Sequence, residues 1–237
     1  MLLYHRLGLP KLSSLVAGQY VAPVLFNSQL GHLSARGWEC VPLANAAENC
    51  QSDDLPLHDN FSVTFDDGYL SVYEHAYPAL VSHNMTATVY IVADSIGGIN
   101  IWDRRAGDSE EPMMSAAQVR EMSDQGFEIG SHTLTHPHLT DLDEQQLKQE
   151  IVDSKHKLED IIGKDVVSFS YPYGDLNDRV VSAVVEAGYK YAVSTKLGLA
   201  YCSSKFEIPR VNVRWNAISP LLMRKIRRAK KASGLLK

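Results

Sequence analysis

Apolar and polar positions along the chain fall into short blocks that alternate between two periods. Runs such as Phe61-Ser62-Val63-Thr64-Phe65 and Gly126-Phe127-Glu128-Ile129-Gly130 read as strands. Similar runs place strands at 1–5, 61–66, 86–92, 127–131, 166–171, 190–194 and 208–213. Helix-like stretches lie between them, near 26–36, 70–83, 115–125, 143–162, 177–187 and 219–231. The longest opens on Asp143-Glu144, acids suited to the positive end of a helix. Ile151, Leu158, Ile161 and Ile162 continue its apolar stripe, and Gly163 is a natural stop. This alternation predicts an α/β fold with parallel strands. Two polar stretches read as loops. One is 44–60, with Asp53, Asp54 and Pro56; the other is 94–114, with Gly97-Gly98, Trp102, Arg104, Arg105 and Glu110-Glu111.

The chemistry concentrates at strand ends. Asp66 and Asp67 follow the run 61–65 and precede Gly68. Adjacent strand residues point to opposite faces, so the two carboxylates are expected to take different jobs, one as a ligand and one as a base. Alone, Asp-Asp-Gly would equally suit a solvated turn. A second cluster, Ser131-His132-Thr133-Leu134-Thr135-His136-Pro137-His138, follows another strand-like run. In one extended strand, His132 and His136 would lie about 13 Å apart, too far to share an ion. A turn after His132 brings both rings to one side, and Pro137 favours such a break because it cannot donate to a ladder. Two His and one carboxylate would leave a position open for water on a zinc ion. The same ligand set also occurs in non-haem iron oxygenases, which need no neighbouring Asp base.

Taken together, Thr64-Phe65-Asp66-Asp67-Gly68, His132-Thr133-Leu134-Thr135-His136 and Phe169-Ser170-Tyr171-Pro172-Tyr173-Gly174 resemble, in order and spacing, the three motifs of the polysaccharide deacetylase family, the NodB-homology carbohydrate esterases. The resemblance covers roughly residues 1–215 and implies a distorted (β/α)7 barrel in a single domain; the remainder, 216–237, reads from its charge as a basic C-terminal helix or tail. It also implies Asp66 as general base, Asp67, His132 and His136 as metal ligands, and the Tyr173 N–H as an oxyanion donor. The implied ion is Zn²⁺, with Co²⁺ or Ni²⁺ as alternatives. The implied substrate is an acetylated amino sugar that is free, polymeric or lipid-linked.

The chain departs from the family pattern in two places. Ser170 stands where most members carry Arg, and no His follows His156 to supply the usual late acid. The opening Leu2-Leu3-Tyr4-His5-Arg6 resembles the permuted branch typified by poly-N-acetylglucosamine deacetylases, where an early Tyr-His strand provides the acid; His5 is therefore the candidate. Arg210, in Ile208-Pro209-Arg210-Val211, is the candidate to replace the missing Arg and hold Asp66. His5, Asp66, Asp67, His132, Tyr173 and Arg210 all fall at or just past candidate strand ends, the rim on which βα barrels build active sites. Trp102 is open to two uses, stacking on a sugar ring or packing as a lid, and His138 is expected to pack within its loop. Two alternatives stand beside N-deacetylation: deformylation of a lipid-linked amino sugar, and a catalytically inactive metal-binding domain that recognises a glycan or partner.

Composition narrows the setting. With 237 residues and 45% hydrophobic content, the chain suits one globular domain with a sizeable core. Cys40, Cys50 and Cys202 form no CxxC and cannot all pair, so reduced, buried thiols are expected. The N-terminus shows no secretory pattern, which leads to an expectation of a cytoplasmic enzyme, peripheral on the inner membrane face at most. Formal charge is −5, yet 224–237 carries seven basic residues and no acids, leaving −12 elsewhere. That segment could rest on anionic lipid. The acidic body argues against nucleic-acid binding.

Overall fold

The computed structural model describes residues 1–11, 14–48, 59–200 and 204–234. Its strands are β1 Leu2–Tyr4, β2 Arg6–Leu7, β3 Tyr20–Val21, β4 Glu39–Cys40, β5 Asn60–Phe61, β6 Val63–Phe65, β7 Thr88–Ile91, β8 Glu128–Ser131, β9 Ser168–Ser170, β10 Tyr191–Leu197 and β11 Ile208–Asn212. Its α-helices are α1 Pro23–Ser34, α2 Leu43–Glu48, α3 Tyr77–Ser82, α4 Ile101–Arg105, α5 Ala116–Asp124, α6 Glu144–Ile162, α7 Asp178–Glu186 and α8 Ser219–Ala232.

Seven strands close a parallel barrel in the order β1-β6-β7-β8-β9-β10-β11, with β11 returning to β1. These are the seven strands expected from the apolar runs. The barrel is irregular where β10 meets β11, since the register shifts between Val193↔Ile208 and Leu197↔Arg210. Among the described residues no helix joins those two strands. The two short parallel pairs, β2-β3 and β4-β5, lie outside the barrel sheet.

Local chemistry accounts for the helices. Asp143 caps α6 by accepting from the Gln146 N–H, and Gln146 reaches back to the cap, a reciprocal box that satisfies two otherwise orphaned donors. Gly163 ends the helix in the left-handed conformation. Leu147, Ile151, Leu158 and Ile162 form the buried face, whereas Ile161, counted in the stripe from sequence, is only partly buried. Ser115 and Gln118 build the same box on α5, and Asn177 caps α7. In α8, Leu222, Ile226 and Ala229 are buried while Arg224, Arg227 and Arg228 remain exposed. No helix among the described residues is long and apolar enough to cross a membrane.

Three expectations need correction. The stretch 44–60 is not wholly loop: most of α2 and the first residue of β5 fall within it, and Asp53, Asp54, Pro56 and Cys50 lie outside the described residues, as does Cys202. The stretch 94–114 contains α4, because Trp102 finds apolar and aromatic neighbours that a solvated loop would not offer. Cys40 is only partly buried; its thiol donates to the Thr86 carbonyl at 3.4 Å, and burial pushes its pKa up to about 11.

Candidate active site

Most of the site residues lie at or just past the end of a barrel strand. β6 ends at Phe65, and Asp66 still bonds across the sheet, its N–H donating to the Tyr4 carbonyl at 3.0 Å. Asp67 then adopts φ 77° and Gly68 φ 86°. This left-handed step breaks the strand alternation. Both carboxylates therefore serve one site rather than opposite faces of a strand. Glycine is required at 68 twice over, by its positive φ and because an added Cβ would lie 2.9 Å from Ile91 Cδ1.

The second cluster turns as its spacing implied. β8 stops at Ser131, and Thr133 and His136 take φ 69° and 64°. The Thr133 hydroxyl accepts from the His136 N–H at 3.0 Å. The Glu150 carboxylate on α6 accepts from the N–H groups of Leu134 and Thr135, both at 2.9 Å. Non-glycine residues at positive φ cost energy and persist where surrounding bonds hold them. Asp67, Thr133, His136 and Tyr173 make up four of the five such residues among those described.

The result is a compact donor set. Asp67 Oδ1 lies 3.3 Å from His132 Nε2 and 3.4 Å from His136 Nε2. The three ligand atoms lie within 4.8 Å of one another, and all three residues are buried. Bonds of about 2.0–2.1 Å at tetrahedral angles place donors about 3.3–3.4 Å apart, so this set fits a divalent ion with an open position. His132 is aimed by its second nitrogen, Nδ1, which lies 2.7 Å from the Ser170 carbonyl. Burial opposes charge on Asp67, but the two imidazoles facing it hold its carboxyl well below the ordinary range.

Asp66 has a different partner. Arg210 Nη1 donates to Oδ1 and Nη2 to Oδ2, both at 2.7 Å, and the Ser170 hydroxyl adds a bond to Oδ2 at 3.2 Å. Arg210 is fully buried, yet all five of its donors are used: Nε bonds the Ser194 carbonyl, Nη1 also reaches Thr64 Oγ1, and Nη2 also reaches Ser170 Oγ. Burial raises the Asp66 carboxyl; the Arg210 guanidinium, together with His132 and His5, offsets this and keeps it below its ordinary range. Arg210 lies within β11 rather than past its end, and its long side chain covers the difference. The Arg missing at position 170 is thus supplied from another strand.

His5 follows β1 and is partly buried, with Nδ1 buried and without a hydrogen-bond partner among the described residues. Burial lowers its pKa; Asp67 and Asp66 act in the opposite sense. Tyr173, at φ 60°, stands 50% exposed beside the His136 ring, 4.6 Å between centroids. Gly174 cannot carry a side chain, since a Cβ there would lie 1.9 Å from Thr195 Oγ1. His138 stacks on Tyr173 at 4.0 Å and places Nδ1 3.3 Å from Asp175, in keeping with loop packing. The residues missed in the sequence are Glu150, Ser170 as a carbonyl acceptor, and the Arg6–Asp103 pair described below. None carries a local signal, because each acts on residues distant in the chain.

The sequence profile described as polysaccharide deacetylase matches residues 58–192. The Bacillus subtilis protein YxkH is 30% identical over 175 residues, which cover 74% of this chain and 58% of that protein, so the chain spans little more than half of that relative. A Staphylococcus epidermidis poly-β-1,6-N-acetyl-D-glucosamine N-deacetylase is 24% identical over 207 residues, covering 83% of this chain and 69% of its own. Among solved structures, the Streptococcus pyogenes deacetylase PplD in complex with acetate superposes with TM-score 0.81 at 23% identity, covering 95% of this chain and 96% of that one. IcaB from Ammonifex degensii gives 0.77 at 23% identity, with 94% of each chain covered. Those two likenesses establish the barrel fold.

Proposed function

The chain belongs to the polysaccharide deacetylase family, and from that premise we propose that it hydrolyses the N-acetyl group of an amino sugar in a polysaccharide, with a divalent ion held by Asp67, His132 and His136. The observation that carries this reading is the division of labour between neighbouring carboxylates. Asp67 faces two imidazoles, while Asp66 is gripped by Arg210 and left out of the donor set. The activity named for the staphylococcal relative supports an N-acetylglucosamine polymer as substrate.

When bound, such an ion, zinc before cobalt or nickel, would polarise the acyl oxygen and acidify a water. The protein's own groups do the rest. Asp66 is held in one orientation and ionised by its two-point contact with Arg210. Its Oδ1 accepts one bond where Oδ2 accepts two, which leaves a lone pair for the proton of the attacking water. The Tyr173 N–H is assigned to the oxyanion of the tetrahedral intermediate. His5 is assigned the acid role: as the imidazolium it would give a ring proton to the departing amine and return to the neutral form. Burial disfavours that charged form, and the Asp67 and Asp66 carboxylates support it. The absence of the usual arginine at Ser170 is a feature an inactive domain would share, and the contact of Arg210 with Asp66 counts against that alternative.

The test measures metal content of the purified chain beside a His132→Ala control, then acetate release from N-acetylglucosamine oligomers. About one ion per chain, absent in the control, together with acetate release supports the proposal. Formate release from a formylated sugar, without acetate release, would favour the deformylase alternative. No ion after incubation with zinc would overturn the hydrolase reading.

A further inference from the structure

His136 is held differently from its partner ligand. A metal-binding histidine is usually aimed by a hydrogen bond from its second ring nitrogen, as His132 is by Ser170. His136 Nδ1 is buried and has no hydrogen-bond partner among the described residues. Its ring is instead enclosed by other rings. Trp102 stacks on it at 4.6 Å with an interplanar angle of 24°, and the rings of Tyr173 and His132 meet it edge-on at 4.6 and 4.9 Å. Trp102 is only 9% exposed.

Trp102 sits on α4, a helix of five residues, too short to be stable by itself. Its neighbour Asp103 anchors the segment. Asp103 Oδ2 accepts from Arg6 Nη2, from the Tyr69 hydroxyl at 2.7 Å and from Asn100 Nδ2 at 3.0 Å. Arg6 is 1% exposed, and its Nη1 donates to Tyr20 at 2.9 Å and to Asp108 at 3.2 Å, so one guanidinium ties both ends of the segment 103–108 to the barrel. Arg6 follows His5 directly, and Tyr69 stands two residues past Asp67. The anchor therefore grows from the same strand ends that supply the site. Burying an arginine to secure a rim segment carries a desolvation cost, which needs an accurately placed segment to offset it.

We propose that Trp102 is a positioning residue that sets the orientation of the His136 ring, and that the Arg6–Asp103 pair locks Trp102 in place, so that metal retention depends on a segment outside the three sequence motifs. This rests on the metal site proposed above. It also gives Trp102 a use other than sugar stacking, since the face it turns to His136 is closed to substrate.

The experiment loads the full chain with zinc and follows its release to a chromogenic chelator, with thermal unfolding of the metal-free forms as a folding control. The variants are Trp102→Ala, Trp102→Phe, Asp103→Ala and the double Trp102→Ala/Asp103→Ala. Losing the support of a metal ligand costs about 10- to 100-fold in affinity. Trp102→Ala should therefore release zinc at least about tenfold faster, while Trp102→Phe restores most of the retention. Asp103→Ala should resemble Trp102→Ala, and the double variant should be no worse than either, because both act through one ring. Unchanged release from Trp102→Ala would overturn the inference, as would additive losses in the double variant or a Trp102→Phe variant as leaky as Trp102→Ala. A wild-type chain that holds no zinc would instead overturn the proposed metal site, and this inference with it.

Discussion

Arg210 and Asp66 meet inside the barrel through two parallel contacts of 2.7 Å, although 144 residues separate them. Neither group is left charged and alone in the interior: the guanidinium spends every donor, and the carboxylate receives three bonds. Removing one partner of such a buried pair costs about 3–5 kcal/mol, because the other charge stays buried and unpaired. Arg210→Ala should lower unfolding free energy by that amount in denaturant titration. Arg210→Lys should recover part of the stability but little activity, since an ammonium cannot reproduce the planar fork. A fully active Arg210→Lys would show that orientation of Asp66 is not what the arginine supplies.

The same pair predicts how metal-free protein responds to acid. The Asp66 carboxyl lies below its ordinary range in the folded chain, so its stabilising contribution is fully present above the ordinary carboxylate pKa of about 3.9 and is lost as pH falls through the depressed folded value. Unfolding free energy should therefore fall more steeply below about pH 4 in wild type than in Asp66→Asn, which cannot titrate there. Parallel curves for the two proteins would remove Asp66 from the acid response.

Asp66→Asn and Asp67→Asn should separate cleanly despite being neighbours. The first should keep the metal and lose turnover by about 10²- to 10⁴-fold, the usual contribution of a general base. The second should lose the metal, because Asp67 Oδ1 faces both imidazoles. Metal analysis and acetate release on the two proteins decide the matter. Metal loss in Asp66→Asn would reverse the assigned roles.

His5→Gln should retain metal, since His5 stands outside the three-residue donor set, and should slow turnover while KM changes little. An unimpaired kcat would take His5 out of the reaction.

Glu150 should matter to metal binding without touching the ion. Its carboxylate accepts from two successive N–H groups of the turn that carries His136. Charge-assisted bonds of this kind contribute about 1.5–3 kcal/mol. Glu150→Ala should weaken zinc affinity roughly tenfold or more, whereas Glu150→Gln, which retains an acceptor, should lose less. Zinc titration monitored by calorimetry would show it, and equal affinity in all three proteins would mean that the turn holds itself.

Much of this protein was legible in its sequence because strands, helix caps and motifs are written in contiguous residues. The seven barrel strands followed from short apolar runs, and the ends of α6 followed from Asp143 and Gly163. The three motifs placed Asp66, Asp67, His132 and Tyr173 at or just past strand ends, where the structure finds them. Local pattern was weaker where the backbone leaves ordinary conformations. Strand alternation implied that Asp66 and Asp67 diverge, and only the left-handed step at Asp67 lets both serve one site. Barrel closure decided the remainder. Pairing of β1 with both β6 and β11 draws His5, Asp66 and Arg210 together, and the packing of α4 and α6 on the rim brings Trp102 and Glu150 to His136 and its turn. A side chain's partner across such a closed sheet is set by which strands become neighbours and in what register, a property of the whole chain that no single segment encodes.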